Sequence, residues 1–227
     1  MLRQSNARYA LFLAALLAGP AQAATTYTWP GAAPCAGTLQ ACIDAASDGD
    51  RVEIATAGPI AENITMHSRS LTIAAAYGYS PLFANSGILA DSTGGSADMQ
   101  VGISGLRFSH GFVNVNYFGT GTATVDLREL VFDDAPGVSS GGLQVIAYGG
   151  TVNAMVYDNR VTGLPQSLNS GLIGLGARGG TLNASAFYNH VRSTSGVGVS
   201  GGGIFVDVAG SGSAGTVKLH ANEALGS

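Results

Sequence analysis

The sequence predicts an all-β protein, a right-handed parallel β-helix with a short N-terminal capping helix. Three observations predict it. Residues recur at a step of 30: Gly111, Gly141, Gly171 and Gly201 form one series, Gly119, Gly149 and Gly179 a second, and Glu129, Asn159 and Asn189 a third. The segments GGTVNAMVYDNRV (149–161) and GGTLNASAFYNHV (179–191) are near copies. Each period holds three short runs rich in Val, Ile, Leu and Thr, too short for helices and without helical periodicity. Such a period is one coil of a β-helix, which buries its inward side chains only by stacking on its neighbours. A β-sandwich, the runner-up, does not predict a step held across three turns.

Each segment then falls into place in order. Arg3 and Arg8 lead an apolar run, Tyr9 to Ala18, which Gly19 and Pro20 break before Ala21-Gln22-Ala23. A membrane span needs roughly 20 apolar residues, so residues 1–23 read as a signal peptide cleaved near Ala23. Cys35 and Cys42, an even pair in a secreted chain, predict a disulfide. In the chain-entropy model it contributes about 2.5 kcal/mol. Residues 24–50 form the N-terminal segment with the capping helix. In Thr38–Ala46, Leu39, Cys42, Ile43 and Ala46 share one helical face, suited to covering an open end of stacked strands. Residues 51–227 are the coils. One early coil is shorter, with Gly87 to Gly111 spanning 24, and the last is longer, with Asn189 to Asn222 spanning 33. The Asn159, Asn189 and Asn222 series predicts a turn column in which stacked amides bond in a ladder, with Glu129 at its head.

After the helix come DGDRVEI (48–54), ENITM (62–66) and SLTI (70–73). This order resembles the opening of bacterial right-handed β-helix proteins of the pectin-lyase-like superfamily. The resemblance covers about residues 35–225. It implies the fold but no single activity, because the superfamily includes lyases, hydrolases, adhesins and autotransporter passengers. It also implies that a ligand lies along the outer face of one parallel sheet.

Alternation assigns one such face. Val113/Val115/Tyr117, Leu143/Val145/Ala147, Ile173/Leu175/Ala177 and Ile204/Val206/Val208 should point inward. Their outward partners include Asn116, Gln144 and Asp207, and they end in a column of Phe118, Tyr148 and Arg178. Aromatic rings and a guanidinium at coil spacing could follow a sugar chain, so these six residues are the candidate ligand-binding set. The simpler reading is a solvated wall with a structural aromatic stack.

Catalytic candidates are weaker. Asp133 and Asp134 could act as acid and base, or bind Ca2+, with Asp158 and Arg160 as neighbours. Pectin hydrolases of this fold carry an Asp-Asp pair, a G-H-G and a downstream R-I-K. Here Ser109-His110-Gly111 precedes Asp133 and no R-I-K follows. His110 aligns with Ser140, Ser170 and Ser200, which suits a turn-side polar residue. Ice binding wants regular Thr arrays, and Thr122/Thr124 does not read as repeating in every coil. Otherwise no cofactor or metal is expected.

Two of the ten basic residues lie in the leader, leaving eight against fourteen acidic ones. That excludes nucleic acid and anionic membranes as partners. The chain stops soon after Asn222, which suggests a truncated piece or self-association through an uncapped C-terminal end. The expected function is a secreted or surface-exposed, non-catalytic binding, adhesion or structural module that takes extracellular carbohydrate or a cell-surface partner. The alternative is a polysaccharide lyase or glycoside hydrolase.

Overall fold

The computed structural model describes residues 23–92, 94–95, 97–135, 142–163, 172–194 and 203–225. The predicted signal peptide lies, but for Ala23, outside them. The chain is a parallel β-helix: among the described residues, 21 strands stack into three parallel sheets. Sheet A holds β1 (Thr26–Trp29), β2 (Arg51–Ile54), β5 (Leu71–Ala75), β8 (Met99–Ser104), β11 (Thr122–Arg128), β14 (Thr151–Tyr157), β17 (Thr181–Phe187) and β20 (Ala214–His220). Sheet B holds β3 (Pro59–Ile60), β6 (Leu82–Ala84), β9 (Arg107–Ser109), β12 (Val131–Ala135), β15 (Arg160–Gly163), β18 (His190–Ser193) and β21 (Glu223–Leu225). Sheet C holds β4 (Ile64–His67), β7 (Ile88–Asp91), β10 (Val113–Tyr117), β13 (Leu143–Ala147), β16 (Ile173–Ala177) and β19 (Ile204–Val208). From β4 onward the chain visits C, then A, then B, once per coil.

The single core is the inside of this coil stack. Alternation puts Val125 and Leu127, Val152 and Val156, and Leu182 and Ala186 inward from sheet A, all essentially without exposure. Sheet B contributes a ring stack: Phe83, Phe108 and Phe132 lie 5.0 and 4.7 Å apart, nearly parallel. Sheet C follows the predicted register, with Val113, Leu143, Ile173 and Ile204 in one row. Glycine is required where coils approach: a Cβ on Gly111 would lie 2.3 Å from the Ser86 carbonyl oxygen, and one on Gly180 would lie 2.4 Å from that of Gly149.

The helix α1 (Leu39–Ala45) caps the front as expected. Thr38 is its N-cap, its hydroxyl accepting from the Ala41 N–H at 3.1 Å. The Glu62 carboxylate takes the N–H groups of Leu39 and Gln40, at 3.2 Å each. Gln40 then does what a strand would do. Its amide donates to the Thr65 carbonyl at 3.0 Å and accepts from the Thr65 N–H at 2.9 Å, closing the edge of sheet C. Arg69 donates to the Ala46 and Ile43 carbonyls at the other end of the helix. Cys35 and Cys42 are disulfide-bonded, with both residues buried.

Two expectations need correction. The N-terminal segment is more than a cap, because β1 pairs in register with β2 and extends sheet A. Glu129 does not head the asparagine ladder. Leu130 does: its N–H donates to the Asn159 side-chain oxygen at 3.0 Å across a separation of 29 residues. One residue fewer in that coil moves Glu129 into a neighbouring column with Gly105, Asp158, Tyr188 and Ala221, all at positive φ. Below Leu130 the ladder runs as predicted through Asn159, Asn189 and Asn222.

No helix among the described residues is long and apolar enough to cross a membrane. At the far end, the inward residues Val206, Val208 and Leu219 are exposed, together with Leu225.

Candidate functional site

Three outer surfaces carry the chemistry, and each follows from the register. The first is the corner after sheet C. Phe118 and Tyr148 stack there with centroids 4.5 Å apart and planes within 7°. Stacked strands repeat at about 4.8 Å, so both ring normals lie along the helix axis. The two rings therefore spend one face on each other and turn their edges to solvent; Phe118 is 47% exposed. Arg178 continues the column, but its guanidinium donates twice to one Asp207 oxygen, at 3.1 and 3.2 Å. Between the column and the sheet, Asn116 and Gln144 are half-buried, and Ile146, Gly174 and Gly176 are buried. Asn116 also holds a buried side-chain oxygen without a donor. This face is thus less wet than alternation alone implies.

The second surface is sheet B, home of the catalytic candidates. Asp133 accepts from Arg107 at 3.1 Å in a well-exposed pair. Asp134 is exposed at φ 52°. Asp158 lies on the corner before β15, in the positive-φ column. Arg160 sits opposite Val131 and points outward. Among the described residues no hydrogen bond or ion pair joins these four to one another, and no cluster of three or more His, Cys, Asp or Glu is arranged to hold a metal ion. His110 is exposed at φ 53°, with Ser109 Oγ 3.3 Å from its Nδ1; Ser140, Ser170 and Ser200 lie outside the described residues.

The third surface is the outer face of sheet A, and here sequence reasoning missed a polar groove. Arg51, Thr72, Gln100, Gly102, Ser104, Thr124, Asp126 and Arg128 line it, on β2, β5, β8 and β11. Register explains the floor. Arg51, Thr72, Gly102 and Asp126 fall in one outward row, and Gly102 contributes no side chain. Arg51 Nε donates to Glu53 at 2.9 Å. Arg128 donates to the Tyr157 hydroxyl at 2.7 Å and lies 5.9 Å from that ring's centroid. The Tyr157 bond pushes the Arg128 guanidinium above its ordinary basic value, so it stays charged. Asp126 is less engaged: its Oδ2 is 3.9 Å from Arg128 Nε, and its buried Oδ1 has no partner.

The next coils extend the groove into an aromatic ledge. Tyr157 and Phe187 stack at 4.9 Å, within 4° of parallel. Tyr188 meets Phe187 edge-to-face at 82° and is 55% exposed. Its ring plane therefore runs along the helix axis, unlike the rings stacked between coils. A positive φ of 56°, unusual for a bulky residue, holds it there. At the opposite end of the same strands, Thr122, Thr151 and Thr181 do align across three coils, but the next outward row passes from Thr124 to Asn153 and Asn183.

A signal for the groove is present in the sequence. The outward set of TATVDLR (122–128) is Thr, Thr, Asp and Arg, and that of TVNAMVY (151–157) is Thr, Asn, Met and Tyr. Alternation applied to sheet C alone leaves these rows unread.

Searches for similar proteins give no family model, no curated protein and no solved structure that matches this chain. The class that the coordinates define is the parallel β-helix with a helical front cap.

Proposed function

We propose that this chain is a secreted, non-catalytic β-helical module that binds an extended polysaccharide along the outer face of sheet A. One observation carries the reading: a polar groove leads directly into an aromatic ledge that ends in an exposed ring lying along the axis. Hydroxyls need donors and acceptors, and the apolar face of a sugar needs a flat platform. Coils repeat at about 4.8 Å, close to the length of one sugar unit, so a chain running along the axis meets equivalent positions. The disulfide and the predicted leader support an extracellular setting.

The test is a polysaccharide array probed with residues 24–227, followed by titration of the best binder. Tyr188→Ala should weaken binding about tenfold, by analogy with aromatic anchors at interfaces. Tyr148→Ala, at the corner column, should change it little. The reverse result would move the face to Phe118, Tyr148 and Arg178. Loss in neither variant would remove the binding reading and leave a scaffold. A lyase or hydrolase would instead release unsaturated or reducing ends from the bound polymer, and neither is expected.

A further inference from the structure

We infer that the sheet A groove is a subsite for an uncharged, hydroxyl-rich sugar unit, with Asp126 as the acceptor that sets its specificity. The inference rests on the polysaccharide-binding reading and narrows it to neutral chains.

The first argument is charge. The groove and its rim hold two guanidiniums, Arg51 and Arg128, and two carboxylates, Glu53 and Asp126. They balance, so a polyanion finds no net attraction there, while a neutral ligand meets both donors and an acceptor. The second argument is the state of Asp126. It accepts no hydrogen bond from the chain: Oδ1 has no partner, and the nearest cation stands 3.9 Å from Oδ2. Oδ1 is buried, so a sugar hydroxyl can donate to the outward Oδ2 and accept from Gln100 or Arg128 in the same pose, while Arg51, three strands away, can serve another hydroxyl. A uronate carboxylate placed there would donate nothing and would face a like charge.

The third argument is Gly102, which is independent of charge. It sits inside β8 at a φ outside the left-handed region, so the backbone does not require glycine. Glycine inside a strand weakens it, and such positions mark close approach by another group. A Cβ at Gly102 would lie 3.1 Å from Thr72 Oγ1 and would start to fill the groove floor between Thr72 and Asp126. Its absence leaves room for a ring to approach the main chain.

The experiment is calorimetric titration of residues 24–227 with cellohexaose and mannohexaose as neutral probes and hexagalacturonate as the acidic one. The neutral probes should bind at least tenfold more tightly than hexagalacturonate. Asp126→Ala should weaken the neutral probes about tenfold and narrow the ratio. Asp126→Asn, which keeps an acceptor oxygen, should retain most neutral binding while admitting the uronate. Gly102→Ala, whose Cβ asks only the Thr72 side chain to give way, should weaken the neutral probes severalfold with the native circular dichroism spectrum retained. Tighter binding of hexagalacturonate by the native chain, or an unchanged ratio in both Asp126 variants, overturns the inference and leaves polysaccharide binding standing. If no probe and no polysaccharide binds at all, both fall together.

Discussion

Asn189 has no exposure, and its short side chain serves three coils at once. Its oxygen accepts from the Asn159 N–H and side-chain amide, while its own amide donates to the Val156 carbonyl and to Asn222. Asn189→Ala would strand a buried N–H and a buried carbonyl, at about 3 kcal/mol in all. Guanidinium unfolding should show a lower midpoint with an unchanged slope; a shift under 1 kcal/mol, roughly the net worth of one ordinary bond, would mean the ladder is only decorative. Tyr117 adds a pH effect. Burial, and secondarily the Asp98 charge, push its phenol above the ordinary 10.0. The folded state thus holds this proton more tightly than the unfolded state. Its contribution is complete below pH 10.0 and is lost as pH rises from there through the raised value. Tyr117→Phe should flatten that alkaline fall in stability, and an identical pH profile would refute the assignment. At this scale the asparagine ladder was legible from its fixed step, although the left-handed conformation falls one residue earlier, on Asp158, Tyr188 and Ala221, and it is the amide bonds between coils that call for asparagine. Glu129 was misplaced because a 30-residue step was carried into a coil that is one residue shorter. Tyr188 was invisible, since nothing in its local sequence announces a positive φ.

The cap α1 is the element on which the front of the core depends. Leu39, Cys42 and Ile43 are fully buried beneath it, and Gln40 closes the edge of sheet C. Replacing both cysteines by serine should cost about 2–3 kcal/mol in the chain-entropy account. The loss should read as a lower Tm, matched by wild type under reducing conditions; equal melting in all three samples would show that the bond adds nothing. The helix was predictable because its apolar residues repeat on one face with Thr38 as a capping residue before them. The strand β1 was not, since TYTW is four residues long, with two of them exposed and two half-buried. The groove stayed hidden for a different reason. Its row joins residues of β2, β5, β8 and β11, and only the pairing register brings Gly102 between Thr72 and Asp126.

Across the whole molecule, stability should be graded along the axis. Coils in the middle are covered on both sides, so Val125, Val152 and Leu182 have almost no exposure. In the last coil Val206, Val208 and Leu219 remain exposed. Stacked repeats gain most of their stability from neighbours, so β19, β20 and β21 should open first. Hydrogen exchange should be fastest in those three strands and slowest in β11 and β14. Uniform protection along the axis would contradict this and point to a partner on the exposed end. The coil architecture was legible from periodicity because each coil must repeat the same inward pattern to stack. Which outer face does the binding was not, because solvent-facing residues are under no such demand.

The asparagine ladder also bears on how a gene for such a protein can lengthen. Asn159 and Asn189 each receive from the coil before and donate to the coil after, so the ladder has no preferred number of members. Two consecutive coils here already share the near-copied segments 149–161 and 179–191. An in-frame duplication of one 30-residue unit would insert a member whose donors and acceptors find the same partners above and below. Growth by whole coils is therefore close to neutral for the neighbours, and such a duplicated chain should melt no lower than its parent.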